Sequence, residues 1–600
     1  MQERISVRTV PIRFAAGPDW SGPPTLGQRN VLAWIERQRV ERSDVIWNVV
    51  PAPAGAGLEA IVEAARTLLL RHEGLRTTYT RTPDGEPVQH VAGSGEFGVA
   101  VLDEVEDAAL PTVVELDETW KRPFDLAAEF GFRVGVYTRA GQPILVLLVV
   151  SHMAADFATV QILTRELLEL LGRPGHDGAK ALHQPREEAA REQSPAGRRR
   201  AEANLRYWES IMRKSPQCMF ALPPDPAGLP GQRQGVLRSR AAALAIGAVV
   251  ARTGASRSTV VFAAGAALLS HLTGNDSCVL VSLSSNRFAQ GTRDYVGTIA
   301  QDSLAHLEIG ATFDEVVHAA GTATMRAYAH ARYDAARLYE VMGAVEYGRG
   351  TRFHRDCVFS DLSVHRDSAD PAPDDPTPGG GPPADGARAA PDISALMAES
   401  EFTFVPELNR QALFQFELYG SDSHTTLMLL ADTRFLPPAA IEGFLRGVER
   451  LLVAAAGRVV AIAELGEVTG VRAAVRGEGW IRVEGCWVQP EAVQRLMDDL
   501  DLVKCARVFV EDEGGAPSLT ARLVPADPDT APADVHLAAV ARLRERFTAI
   551  APQRYALYAD TPEDPEDPGA WRRLEPLAEG SGRLAEPPVG RPEEIWCPPR

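Results

Sequence analysis

The sequence predicts an α/β fold, in which apolar strands alternate with amphipathic helices. Residues 144–150 form an unbroken apolar run of strand length, rich in β-branched side chains, which is typical of a buried central strand. The run is too short to span a membrane. Apolar residues recur at helical spacing over 58–70 and again over 159–170. Strands and helices of this kind, following one another along one chain, predict a mixed α/β protein.

Further elements follow in order along the chain. Residues 7–14 are predicted as a first strand, and residues 25–39 as a helix that begins after Pro23-Pro24. Two apolar helices are predicted over 239–253 and 259–272, and a strand over 278–283. A helix over 438–456 closes this part of the chain.

Length and charge limit the classes of function. Six hundred residues with 45% hydrophobic content predict several domains or lobes with large cores. A formal net charge of −18 argues against nucleic acid or an anionic membrane surface as a partner. The first residues contain no apolar stretch of signal-peptide length and no transmembrane run is found, so we expect a cytoplasmic protein without a membrane partner.

The sequence shows no metal or nucleotide motif. The six cysteines are scattered without C-x-x-C spacing, which favours reduced thiols over disulfides or a zinc site. There is neither a Walker loop nor a Rossmann fingerprint. We therefore expect no bound cofactor and no metal.

The central strand ends in Ser151-His152, and Asp156 follows four residues after the histidine. An imidazole at the end of a buried strand, near a carboxylate, is an arrangement that general acid–base chemistry can use. The same residues also fit a core histidine that only hydrogen-bonds its neighbours. From these residues alone, both interpretations stay open.

Residues 121–157 resemble the condensation-domain family of nonribosomal peptide synthetases. In that family a Pro-Phe-Asp-Leu segment leads into a His-His-x-x-x-Asp-Gly motif, and here Ser151, His152, Asp156 and Phe157 occupy its four named positions. The segment Arg71-His72-Glu73-Gly74-Leu75-Arg76-Thr77 resembles another signature of the family. The resemblance covers roughly residues 5–460.

The resemblance implies roles for the site residues. His152 is the candidate catalytic residue that contacts the attacking amine, and Ser151 is grouped with it as a candidate whose hydroxyl could bond the backbone. Asp156 is expected to be structural and to pair with Arg287, which follows the predicted strand 278–283. A buried carboxylate needs a charge partner, and a guanidinium supplies one with fixed geometry.

Three further residues are expected to line the channel that leads to His152, namely Phe157, Gln301 and Ser360. Phe157 stands where the family has glycine. Its ring either packs into a core that has adapted to it or narrows the channel, and both interpretations stay open.

The resemblance also implies an architecture of two chloramphenicol-acetyltransferase-like lobes that meet in a V, with His152 between them. The predicted boundaries are 1–180 for the N-terminal lobe and 196–465 for the C-terminal lobe. Residues 366–392, rich in Pro, Gly, Asp and Ala, are predicted to be a disordered insertion.

Residues 470–580 resemble the small C-terminal subdomain of adenylation domains. The segment 480–490 is similar to its start, but Ala570 stands at the position of the family's catalytic lysine. The large adenylation core is missing from the sequence, so we expect this α+β subdomain to be inactive and to use no ATP. Residues 581–600 are assigned to a tail.

Two hypotheses about function follow. The first is an acyltransferase that joins a carrier-protein-bound acyl or aminoacyl thioester to an amine or hydroxyl, with His152 as base or positioner. The phosphopantetheine arm of the carrier protein would be the substrate tether, and a small-molecule amine the acceptor. The second is a catalytically silent protein that recruits a carrier protein or a tailoring enzyme. A transferase for a soluble coenzyme A thioester is a third possibility. One chain supplies both lobes, which is consistent with a monomer.

Overall fold

The computed structural model describes residues 6–37, 45–103, 120, 122–172, 183–222, 231–363, 392–406, 412–420, 424–544 and 546–584. Nearly all of the predicted insertion 366–392, and the end of the predicted tail, lie outside the described residues. Helices and sheets both occur throughout, which confirms the predicted α/β class.

Within the described residues, the N-terminal part contains two sheets and three α-helices. Its strands and helices are β1 Ser6–Ala15, β2 Trp20–Gly22, α1 Leu26–Arg37, β3 Val45–Pro51, α2 Leu58–Arg71, β4 Thr77–Arg81, β5 Pro87–Val91, β6 Ser94–Asp103, β7 Phe132–Arg139, β8 Gln142–Ser151 and α3 Phe157–Gly172. The main sheet has the order β1-β6-β7-β8-β3, and a smaller one the order β2-β5-β4. Strand β8 contains the predicted apolar run and is an inner strand of the main sheet.

The apolar run is buried because it is covered on both faces. Val146, Leu148 and Val150 pack in the cluster that includes α2 and α3 residues, while Leu147 and Val149 pack in a second cluster on the opposite face. Since side chains alternate along a strand, burial on both faces explains why the run has no polar residue.

The middle part of the chain is built on one seven-stranded sheet with the order β11-β10-β12-β14-β15-β9-β13. Its strands are β9 Gln232–Ser239, β10 Ser277–Ser284, β11 Gln301–Glu308, β12 Cys357–Asp361, β13 Glu401–Phe404, β14 Phe414–Gly420 and β15 Thr425–Asp432. Its helices are α4 Pro185–Gln193, α5 Pro195–Met212, α6 Arg240–Thr253, α7 Arg257–Thr273, α8 Phe313–Ala329, α9 Ala335–Arg349, α10 Ile393–Leu396, α11 Pro438–Gly457 and α12 Leu465–Thr469.

Capping residues explain where these helices begin and end. Ser239 and Asp334 accept backbone N–H bonds at the N-termini of α6 and α9. Gly350, with φ of 68°, ends α9 in the left-handed conformation that glycine adopts without a steric penalty.

The C-terminal part has its own apolar core. Its elements are β16 Ile481–Val483, β17 Cys486–Val488, α13 Pro490–Asp498, β18 Val503–Glu513, β19 Ala516–Pro525, α14 Pro532–Arg542, β20 Arg554–Leu557, α15 Pro568–Arg572 and β21 Ala578–Gly580. Strands β18-β19-β20-β21 form one sheet. The relation of this part to adenylation domains and the domain boundaries stay predictions.

The part of the chain that the structure describes contains no helix long and apolar enough to cross a membrane.

Candidate functional site

The candidate site lies at the end of β8, in the histidine turn formed by residues 151–156. Ser151 donates its backbone N–H to Gly131 O at 2.9 Å, and its carbonyl accepts from the backbone N–H groups of Ala154 and Ala155. A Cβ atom on Gly131 would lie 2.8 Å from the Ala154 side chain, so only glycine fits beside the turn. These contacts set the direction in which the strand passes into α3.

Asp156 and Arg287 form the ion pair that the sequence predicts. The guanidinium of Arg287 contacts both carboxylate oxygens at 2.8 Å, and both side chains are buried. Asp156 also accepts backbone N–H bonds from Thr159, Ile299 and Ala300 at 3.0–3.2 Å. Two parts of the chain more than 130 residues apart are thereby held together.

This environment keeps Asp156 ionised. Burial by itself raises the pKa of Asp156, but the charge and hydrogen bonds of Arg287 and the N–H groups of Thr159 and Ile299 outweigh it and hold the pKa below its usual range. A carboxylate fixed in this way is poorly suited to proton transfer, which agrees with a structural role.

His152 lies in the same turn and is half-buried. Its backbone carbonyl accepts a hydrogen bond from the hydroxyl of Thr298, a residue of the segment that leads into β11. Its Nδ1 is buried, so Nε2 is the ring nitrogen left to meet a reactant. The ring of Trp34, on α1, lies against the imidazole with centroids 5.9 Å apart. We call this region, where the histidine turn meets Arg287 and Thr298, the histidine seam.

Ser151 is fully buried, and its Oγ accepts the backbone N–H of Met153 at 3.2 Å. This hydrogen bond to the backbone stabilises the turn. The grouping of Ser151 with His152 as a catalytic candidate stays a prediction.

Phe157 is the first residue of α3, and 39% of its surface is exposed. The residue is thus partly covered and partly open to solvent. Both interpretations, a ring packed into an adapted core and a ring that narrows the channel, stay predictions.

Gln301 and Ser360 lie on β11 and β12 of the seven-stranded sheet, with β10 between them. The buried amide of Gln301 donates to Tyr333 O at 2.9 Å and accepts from Tyr333 N at 3.4 Å, so it ties β11 to the segment before α9. Ser360 is half-buried on β12, opposite Glu417 of β14. Their role in lining a channel stays a prediction.

A carboxylate pair close to the histidine seam was missed by the sequence reasoning. It consists of Glu188 and Glu192, both on α4. Burial by itself raises the pKa of Glu188, but its hydrogen bonds and charge interactions with Arg191, Arg332 and His183 lower it to about 2. Burial and the charge of Glu188 raise the pKa of Glu192 to about 8. The spacing of four residues between the two glutamates indicates that they share one face of a helix. It does not indicate that the pair is buried.

Glu192 joins this pair to α1. Its Oε2 accepts the backbone N–H of Leu26 at 2.8 Å, while Glu188 pairs with Arg332 of the segment before α9. The pair therefore links the N-terminal part to the middle part beside the histidine seam. Within the described residues, no group of three or more His, Cys, Asp or Glu side chains could hold a metal ion.

Comparisons with known proteins point to one family. The family model "Condensation domain" matches residues 49–355, just over half of the chain. Surfactin synthase subunit 2 of Bacillus subtilis is 26% identical over 311 residues, which is 50% of this chain and 8% of that protein. The chain thus spans only a small part of the curated relatives that it matches.

Solved structures show the same fold. The condensation domain from the monacolin K polyketide synthase MokA has a TM-score of 0.56 at 16% identity, and the match covers 74% of this chain and 99% of that one. The X-domain in its complex with OxyB from teicoplanin biosynthesis has a TM-score of 0.53 at 18% identity, covering 74% and 95%. At such identities the likeness concerns the fold alone.

Proposed function

Because the chain belongs to the condensation-domain family, we propose that it is a condensation-like acyltransferase of specialised-metabolite biosynthesis. It would join an acyl or aminoacyl thioester, carried on the phosphopantetheine arm of a carrier protein, to an amine. The observation that carries the proposal is the half-buried imidazole of His152 in a turn pinned across the histidine seam by Asp156 and Arg287. The adenylation-like C-terminal part would have no catalytic role.

The chemistry needs one base at this position. The amine attacks the thioester carbonyl, and His152 positions the amine or takes its proton as the carbon–nitrogen bond forms. The tetrahedral oxyanion then collapses, the carbon–sulfur bond breaks, and the imidazolium returns the proton to the departing thiolate. Asp156 takes no part in proton transfer, because Arg287 holds it ionised.

Replacing the imidazole tests the proposal. A purified carrier protein loaded with an acetyl or aminoacyl group is incubated with the protein and benzylamine, and amide formation is followed by mass spectrometry. We expect His152→Ala to lower the rate by about 10² to 10⁴, the usual contribution of a general base. His318→Ala, which changes an exposed histidine on α8, is the matched control and should retain full activity.

Equal rates for wild-type protein and His152→Ala would contradict the assignment of His152. If acetyl coenzyme A were used faster than the carrier-bound group, a transferase for soluble thioesters would replace the proposed substrate class.

The exposed ring of Phe157 favours a second candidate function, a silent protein that recruits a carrier protein or a tailoring enzyme. A related fold, the X-domain, occurs in complex with OxyB. The test is Phe157→Gly, which gives the position the family's residue. If wild-type protein binds the carrier protein but transfers nothing, and Phe157→Gly gains transfer, the ring blocks the site and the second function is supported. Transfer by the wild type contradicts it.

A further inference from the structure

His152 lacks a contact that a histidine base usually has. In such a residue one ring nitrogen faces the reactant, and a hydrogen bond to the other fixes the ring. The Nδ1 atom of His152 is buried, yet it has no hydrogen-bond partner among the described residues. Something other than a hydrogen bond at Nδ1 must therefore hold the imidazole in one orientation.

The indole of Trp34 lies in the position to do so. The ring centroids of Trp34 and His152 are 5.9 Å apart, and the two planes are inclined at 57°. About 41% of Trp34 is exposed, so the indole is not held there by burial in a core. Aromatic rings at this distance and inclination attract each other beyond the area that they bury.

Helix α1, which carries Trp34, is fixed against the histidine turn. Gln28 donates to the hydroxyl of Tyr79 at 3.0 Å, and that hydroxyl donates to Met153 O at 3.2 Å, next to His152 in the chain. Val31, on the same helix as Trp34, packs in one cluster with Tyr79 and Met153. Two hydrogen bonds and an apolar cluster therefore join the helix to the turn.

A close backbone contact fixes the same helix from the other side. A Cβ atom on Gly27 would lie 2.2 Å from Thr298 O, so α1 reaches the backbone of the segment that also bonds the His152 carbonyl. Helix α1, which carries the indole, is thereby tied to the histidine turn on both sides.

We propose that Trp34 is the positioning residue of His152, holding the imidazole by ring contact so that Nε2 faces the reactants. This inference rests on the proposed acyltransferase function and deepens it. The indole takes the place of the hydrogen bond that Nδ1 lacks. A smaller aliphatic side chain would leave the ring free to turn.

Tryptophan fluorescence tests the contact without any substrate. Contact with an imidazole quenches the emission of an indole, so His152→Ala should raise the tryptophan emission of the protein. In a Trp34→Leu background, His152→Ala should leave the emission unchanged. Trp47→Leu is the matched control background, because Trp47 on β3 is similarly exposed, at 44%, and His152→Ala should still raise the emission there. A rise on His152→Ala that persists in the Trp34→Leu background would overturn the contact.

Kinetics test the positioning role. With the loaded carrier protein and benzylamine, Trp34→Leu should lower kcat roughly 10-fold, as misplacement of a reacting group does, with little change in KM. Trp34→Phe keeps an aromatic ring and should recover most of this loss. Circular dichroism of Trp34→Leu checks that this variant is folded. An unchanged rate of Trp47→Leu shows that the loss of an exposed tryptophan does not by itself lower the rate.

Two outcomes would overturn the inference while leaving the proposed function in place. A raised KM with unchanged kcat in Trp34→Leu would show that the indole binds substrate and does not position His152. An unchanged rate would show that the indole has no role in the reaction. If His152→Ala raises the emission of Trp34 but the wild type transfers nothing, the contact stands, while the proposed function and the positioning role that depends on it both fail.

Discussion

Within the described residues, two seams join the parts of this chain, and they differ in how much side-chain surface they leave exposed. At the histidine seam, Trp34 lies beside a half-buried imidazole and is 41% exposed, and Phe157 at the start of α3 is 39% exposed. At the C-terminal seam, where Gln217 and Arg349 meet the C-terminal part, both side chains are almost completely buried. The histidine seam is therefore partly open to solvent, whereas the C-terminal seam is closed.

The polar groups of the C-terminal seam are bonded to backbone carbonyls. Arg349 donates to Met212 O and Ser215 O on one side and to Glu484 O on the other. Gln217 donates to the carbonyls of Phe547 and Ala549 at 3.0 and 2.8 Å. Separating the seam would leave these buried groups without partners, which is expensive. The comparison teaches that the C-terminal part is fastened to the middle part by buried hydrogen bonds, while the histidine seam leaves aromatic side chains partly exposed.

The largest effect is expected from breaking the ion pair of the histidine seam. Arg287→Met leaves the carboxylate of Asp156 buried without its countercharge, which costs about 3–5 kcal/mol. The measurement is chemical unfolding followed by fluorescence and circular dichroism. Arg66→Met, which removes an exposed ion pair with Glu63, should cost less than about 1 kcal/mol. Equal costs for the two variants would show that the buried pair does not stabilise this seam.

The next effect concerns the C-terminal seam. Arg349→Met removes the donor shared by three carbonyls, and we expect a loss on the order of 3 kcal/mol, since each unpaired buried group costs about 1–3 kcal/mol. Limited proteolysis should then release the C-terminal part. The control is Arg213→Met, at an exposed arginine that pairs with Glu209. A protease-resistant Arg349→Met variant would contradict the fixed attachment.

The next prediction distinguishes the two seams by the opposite dependence of folding stability on pH. Near the histidine seam, the pKa of Glu192 is raised to about 8 by burial and by Glu188, so its folded form favours the proton. Its contribution to stability is complete below its ordinary pKa of 4.5 and is lost as the pH rises to about 8. Wild-type protein should therefore lose stability relative to Glu192→Gln between pH 5 and 8.

The C-terminal seam should respond in the other direction. Burial lowers the pKa of His536 to about 4, below its ordinary 6.5, and its ring bonds Tyr347 O at 2.7 Å and the hydroxyl of Tyr555 at 3.1 Å. The unfolded chain binds the proton first, so stability is lost as the pH falls from 6.5 to 4. Thermal unfolding of wild type and His536→Gln across this range should show a difference of a few degrees. Parallel pH profiles for Glu192→Gln and His536→Gln would contradict the distinction between the seams.

The sequence was sufficient to predict the buried strand before His152 and the ion pair after it. The apolar run before His152 identified a buried strand, and β8 extends it by only a few residues. The pairing of Asp156 with Arg287 was predicted from the resemblance to the family, and the two buried side chains do form an ion pair. The burial of the Ser151 hydroxyl could not be predicted, because a sequence motif does not tell whether a hydroxyl faces the substrate or the backbone.

The chain by itself determined the order of strands and helices, the family and the position of the imidazole, because these depend on local periodicity and on short motifs. Only the tertiary structure decided that Trp34 lies against His152, that Glu192 bonds the start of α1, and that Arg349 fastens the C-terminal part. Each of these contacts joins residues more than 100 positions apart. Local sequence patterns do not indicate which distant residues will meet. Burial strengthens these contacts, and it arises only when the parts of the chain have packed together.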